Sequence, residues 1–195
     1  MITENEKNVL KMLLYAFEKM YPINQIAREC NIAPNGALKI LRKFEKEGIL
    51  KFERISNIKS YNLNFENEKT KNILQLALIS NLTGRVKFRA EDLSFLRQFT
   101  EVCIIFGSYV DIKKDPNDID LFFIIKDKKF NEYKKQASLI YKTMPIKVHD
   151  VIQTEKDVVE NIKRKDKIIM EILKTGIILW GYDKVVEIIK DGYKR

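Results

Sequence analysis

Val9, Leu10, Leu13, Leu14, Phe17 and Met20 recur at helical intervals behind the capping-box pair Thr3 and Glu6, which predicts a first helix reaching about Met20. A shorter helix follows with Ile23, Ile26, Ala27 and Cys30 inward. The break Asn31-Ile32-Ala33-Pro34-Asn35 then puts Pro34 in the first turn of a third helix, with Leu38, Leu41 and Phe44 on its apolar side. Alternating apolar residues over 49–54 and 59–64 flank the polar pair Ser56-Asn57 and predict a β-hairpin. A connecting helix is expected over 66–80, with Ile73, Leu74, Leu76, Ala77 and Leu78 on one side and Thr83-Gly84 at its end.

Beyond this point the pattern changes to strands separated by helices. The spacing predicts a helix over 92–99, strands over 102–106 and 118–125, a helix over 130–141 and a strand over 146–152. Thr154 and Asp157 open a long helix toward Lys174, and an apolar segment at 177–180 and a final short helix follow. Phe122, Phe123 and Trp180 read as core. The alternation argues for an α/β (α+β) sheet packed against helices. The expected division is a small N-terminal domain over 1–65, a connecting helix or linker over 66–84, and the sheet domain over 85–195.

Composition sharpens the picture in three ways. A 45% hydrophobic share beside 32% charged residues, with only 4 Pro and 7 Gly, describes a folded globular chain with little room for disordered linkers. No apolar run approaches the ~20 residues that span a bilayer, and the acidic start lacks the basic flank of a signal peptide, so no membrane partner and a cytoplasmic location are expected. Cys30 and Cys103 are far apart in apolar stretches, which suits small buried thiols better than a disulfide or structural zinc. The net charge of +9 favours a polyanionic partner, because Lys and Arg release condensed counterions from phosphates.

The informative chemistry lies in Ile104-Ile105-Phe106-Gly107-Ser108 and Asp118-Ile119-Asp120. An apolar strand ending in Gly-Ser lets a ligand approach the backbone at Gly107, and Ser108 can donate its hydroxyl at a helix N-terminus, a favourable place for phosphate. Asp118 and Asp120 are two apart on a strand, so their carboxylates share a face and can hold the same hard cation, without which their proximity is costly. Asp150 ends the alternation Ile146, Val148, Asp150 on another strand and is read as the third acid. His149 points to the opposite side of that strand and is read as structural or exposed. Three carboxylates and a phosphate cradle match the needs of a phosphoryl-transfer site with two magnesium ions, manganese being the alternative.

Gly107-Ser108 with Asp118-x-Asp120 resembles the Gly-Ser…Asp-x-Asp signature of DNA polymerase β-like nucleotidyltransferases, especially the minimal group related to kanamycin-modifying enzymes. The resemblance covers about 87–182. It implies that Gly107 and Ser108 bind the triphosphate, that Asp118 and Asp120 hold both metal ions, and that Asp150 completes the catalytic site and acts as base. Members of the minimal group often carry Arg and Gly soon after Gly-Ser and a Ser before the first Asp; Tyr109-Val110-Asp111 and Asn117 stand there instead. Lys113 and Lys114 could supply positive charge or simply be solvated.

The N-terminal third resembles the winged helix-turn-helix family, with 23–47 as the helix-turn-helix and the hairpin as the wing. Its third helix would meet double-stranded DNA through Asn35, Lys39, Arg42, Lys43 and Lys46. Such proteins often bind palindromes as dimers, which leaves a homodimer open. Two functions are then expected to compete, and a third reading has the winged helix bind a protein or RNA and never DNA. One is transfer of a nucleoside monophosphate from a nucleoside triphosphate such as ATP to an acceptor hydroxyl, where antitoxin relatives suggest a HEPN-type protein acceptor. The other is a DNA-binding regulator whose nucleotidyltransferase domain senses nucleotide without turnover.

Overall fold

A computed structural model describes the chain except residues 1, 17, 18, 56, 83, 112, 114, 127, 194 and 195; Phe17, Ser56, Thr83 and Lys114 therefore lie outside the described residues. Two compact units divide after Ile79, the first also taking Tyr193.

The first unit opens with α1 (Glu4–Tyr15), started by the expected capping box: Glu6 N donates to Thr3 Oγ1 and Thr3 N donates to the Glu6 carboxylate. The helix ends before Met20, and Val9, Leu10, Leu13 and Leu14 are fully buried. A short strand, β1 (Tyr21–Pro22), escaped the sequence reading because two residues show no alternation. Then come α2 (Ile23–Glu29) and α3 (Pro34–Lys46), joined through Asn31 at φ 51°, a left-handed conformation that Asn tolerates. The predicted hairpin is β2 (Leu50–Ile55) and β3 (Ile58–Leu63), paired from Leu50↔Leu63 to Ile55↔Ile58, with β1 on the outer side of β3. α4 (Glu68–Leu78) packs against α1 and is part of this unit, so the division falls after it instead of being spread over 66–84.

The second unit is mixed α/β. After α5 (Gly84–Asp92) a 3-10 turn, Ser94–Gln98, stands where a helix over 92–99 was expected. The strands β4 (Thr100–Phe106) and β5 (Asp118–Ile125), the helix α6 (Phe130–Tyr141) and the strand β6 (Lys147–Gln153) follow the sequence pattern closely. The expected long helix is two, α7 (Glu155–Lys163) and α8 (Lys167–Thr175). Lys165 at φ 56° breaks the run, and Asp166 restarts it by accepting a hydrogen bond from Ile169 N at 2.9 Å. The chain closes with β7 (Ile177–Trp180) and α9 (Tyr182–Gly192).

These four strands form one mixed sheet in the order β6-β5-β4-β7, in which only β5 and β6 run parallel. One face carries Cys103, Ile105, Ile119, Leu121 and Phe123, packed with Val86 and Ala90 of α5, Tyr133 and Ala137 of α6, and Trp180. The other buries Ile104, Phe122 and Ile124, with α8 and α9 against β4. Cys103 is buried and Cys30 half-buried. No helix among the described residues is long and apolar enough to cross a membrane.

β7 lies tightly on β4 because Gly181, at φ 85°, turns where a Cβ would run into the Glu101 carbonyl and the Val102 side chain. Gly181→Ala is expected to destabilise the fold by about 2–4 kcal/mol from left-handed strain plus overpacking, read as a lower denaturation midpoint in urea.

Candidate active site

Alternation along β5 puts Asp118 and Asp120 on one face, at the strand's start, as the sequence requires. Antiparallel pairing sets Phe106 of β4 level with Asp120. The residue after Phe106 must therefore turn beside that carboxylate, and Gly107 does so at φ 69°; an added Cβ would run into Asp120 Oδ2. Gly107–Val110 form a four-residue 3-10 turn and not the α-helix N-terminus that was expected, so only local N–H and hydroxyl groups are on offer there. Ser108 is half-buried, and its hydroxyl forms no hydrogen bond with a described residue. Arg85 of α5 clamps the turn: its Nε donates to Tyr109 O at 2.9 Å and its Nη2 to Asp111 O at 2.6 Å.

The third acid is not where it was expected. Parallel pairing sets His149 level with Asp120 and Asp150 level with Leu121. Because side chains alternate, Asp150 is on the opposite face of the sheet from Asp118 and Asp120, where its Oδ2 accepts hydrogen bonds from Tyr133 and Tyr141 at 2.6 and 3.0 Å. Asp150 is thereby removed from the acid cluster, both as metal ligand and as base. Its place is taken by His149, whose Nδ1 lies 3.3 Å from Asp118 Oδ2 and 3.8 Å from Asp120 Oδ1. The ligand-type atoms of Asp118, Asp120 and His149 all fall within 4.8 Å of one another.

Burial and the neighbouring Asp118 carboxylate push the pKa of Asp120 up, with His149 pulling the other way. A half-buried carboxylate whose charged form is disfavoured by burial and by a second carboxylate, beside an imidazole, belongs to a donor set that a divalent cation relieves. Beside Gly107 and Ser108 lies a cavity of about 470 Å³, which also reaches Asp111, Glu171 and Thr175. Its described lining holds two acids and no Lys or Arg, and Lys113 is not part of it. A triphosphate there would need positive charge from a cation.

The five basic or amide residues expected on α3 are all exposed. Asn35, Lys39, Arg42 and Lys46 recur on one stripe of the helix. Lys43 differs: its ammonium pairs with Glu6 at 2.8 Å. The sequence reading missed Arg85 and the place of His149. Nothing local marks Arg85, whereas the opposition of His149 to Asp150 was visible without any indication of which one faced the acids.

Residues 94–185 match the family model described as Polymerase beta, Nucleotidyltransferase, a stretch that lies within the second unit and contains all four strands of its sheet. No curated protein matches the chain. Among solved structures, that of Lactococcus lactis ZitR, C30S mutant in complex with DNA, is 20% identical, covering 50% of this chain and 75% of that one with a TM-score of 0.30, too low to establish a common fold.

Asp120 carries a raised pKa, so its ionisation disfavours the folded state: the penalty is absent below the unfolded value of 3.8 and is complete above the folded pKa. Asp120→Asn should therefore raise the melting temperature of the ion-free protein at neutral pH, with the gain vanishing in acid. Titrated with Mn²⁺ or Mg²⁺, wild type and Asp150→Asn should both gain stability, by about 2.7 kcal/mol at 100 times Kd, while Asp118→Asn/Asp120→Asn gains none. Loss of the ion-induced rise in Asp150→Asn would instead put Asp150 among the ion's ligands.

Proposed function

We infer that the second unit is a metal-dependent nucleotidyltransferase that moves a nucleoside monophosphate from a nucleoside triphosphate, with ATP as the first candidate, to an acceptor hydroxyl. The observation that carries this reading is the cluster of Asp118, Asp120 and His149, with Asp120 set against Gly107, a residue that with Ser108 also lines an open cavity. In the reaction the acceptor oxygen bonds to the α-phosphorus, the bridge to the β-phosphate breaks, and pyrophosphate leaves with that electron pair. Asp118 and Asp120 would hold Mg²⁺ or Mn²⁺, which supplies the positive charge that offsets the triphosphate and the departing pyrophosphate.

The chain's own groups do the rest. Gly107 lets phosphate approach the backbone, Ser108 offers a free hydroxyl, and Arg85 holds the turn in place. His149 stands where it can accept the acceptor's proton, a role Asp150 cannot fill from the far face. A second reading is a nucleotide-sensing regulator without turnover. What favours it is the acid set itself, which has two carboxylates on its face where three were expected.

The first unit is read as a DNA-binding winged helix: α2, the Asn31 turn and α3 form the helix-turn-helix, and β2 and β3 form the wing. The stripe Asn35, Lys39, Arg42 and Lys46 would meet double-stranded DNA, in keeping with the charge of +9.

Incubation with magnesium or manganese and α-labelled nucleoside triphosphates, alone and with tRNA or a HEPN-type protein as acceptor, is expected to yield labelled acceptor. Asp118→Asn/Asp120→Asn should lower transfer by at least about 10³-fold, as loss of phosphoryl-stabilising groups does elsewhere. An inactive wild type whose DNA binding nevertheless shifts with nucleotide would replace the enzyme by the sensor. For DNA, Arg42→Ala/Lys46→Ala should weaken binding across sequences and flatten the slope of log affinity against log salt by about 1.8, at ~0.9 per lost phosphate contact. An unchanged slope in fluorescence anisotropy would remove α3 from the interface.

A further inference from the structure

A cavity of about 500 Å³ between α6 and β6 lies on the sheet face opposite Asp118 and Asp120. Ala137, Val148 and Ile152 give it an apolar lining, while Lys134, Lys142 and Lys147 stand around it with no carboxylate partner among the described residues. Its polar feature is a small network. Tyr133 and Tyr141 both reach Asp150 Oδ2, at 2.6 and 3.0 Å, and their hydroxyls lie 2.9 Å apart. Oδ1 of Asp150 makes no hydrogen bond with a described residue.

The fold alone does not account for this arrangement. A carboxylate stands on a core-facing strand position, flanked by Val148 and Ile152, where an apolar residue would continue the packing. Asp150 is only half-buried, so the oxygen that the phenols do not hold is open to the cavity that the residue lines. Here one oxygen is held by two phenols, and the other is left as an acceptor in a carboxylate that lines a cavity. Burial raises the pKa of Tyr133 and of Tyr141, which keeps both as proton donors to Asp150.

The complementary ligand has three parts: a flat ring to lie on the aliphatic lining of Ala137, Val148 and Ile152, an N–H donor on its edge for Asp150 Oδ1, and an anionic group for the lysines. Concave, mostly apolar sites of this volume with a few convergent polar groups are where small ligands bind. We propose that this cavity is a second nucleotide site, which takes a mononucleotide whose base carries an exocyclic amino group. Its lysines distinguish it from the cavity beside Gly107, whose described lining has no cationic residue. The site needs no divalent ion and does not depend on the transfer reading.

The test is calorimetric titration of the full chain with AMP, GMP and CMP in EDTA, which silences any ion-dependent binding beside Asp118 and Asp120. Wild type is expected to bind at least one of them at a single site, and Asp118→Asn/Asp120→Asn to bind it equally well. Asp150→Asn should weaken binding at least tenfold, and Lys142→Ala/Lys147→Ala should weaken it to a similar extent and reduce its salt dependence. Ser138→Trp, an exposed position on the cavity lining, plugs the cavity without touching the tyrosine network and should abolish binding even if Asp150→Asn fails to fold. The proposal is overturned if none of the three nucleotides binds at millimolar concentration, if Ser138→Trp binds like wild type, if binding disappears in Asp118→Asn/Asp120→Asn, or if the unphosphorylated nucleoside binds as tightly as the nucleotide.

Discussion

Two carboxylates held on one face of β5 repel each other, and the chain is built so that neither can withdraw. Asp118 and Asp120 begin a strand whose following residues, Leu121 to Ile124, are fully buried, so sliding the strand to separate the charges would expose its apolar side chains. Opposite, the pairs Ile105↔Leu121 and Ile104↔Phe122 fix the register that brings Phe106, and hence the turn at Gly107, beside Asp120. The burial of the sheet thus offsets the electrostatic cost at its edge. What results is a fixed concentration of negative charge next to a backbone that a ligand can approach, and the charge is most readily relieved by a cation.

A single step of register divides the chemistry of the sheet between its two faces. β6 runs parallel to β5 with His149 opposite Asp120, so that the imidazole joins the acids and Asp150 is sent to the far side. There the carboxylate is stabilised by two phenols rather than by a metal, and it lines a cavity with lysines around it. One face therefore combines acids with an imidazole, and the other combines a single acid with phenols and ammonium groups. A ligand bearing phosphate meets opposite electrostatics on the two sides.

In the first unit the excess of positive charge is less available than its total suggests. Lys43 is paired with Glu6 of the α1 capping box, and Lys59 with Glu45 while it also lies 3.8 Å from the Phe52 ring centre. These pairs tie α3 to α1 and to the hairpin. The charge open to a polyanion is the stripe Lys39, Arg42 and Lys46, together with exposed hairpin residues such as Lys51 and Arg54.

Much of this was legible from local pattern. Capping boxes at Thr3 and Thr154, Pro34 at a helix start, the strand 118–125 and the pairing of Asp118 with Asp120 on one face all follow from interactions within a few residues, and the sequence alone determined them. It did not determine that a left-handed Lys165 would split the helix after Thr154, or that α4 would join the first unit by packing on α1. Nor could it decide between His149 and Asp150. Alternation states that neighbours on a strand face opposite ways, but which of them faces the acids depends on how β6 is aligned with β5, a contact between residues almost thirty positions apart that only the folded sheet sets.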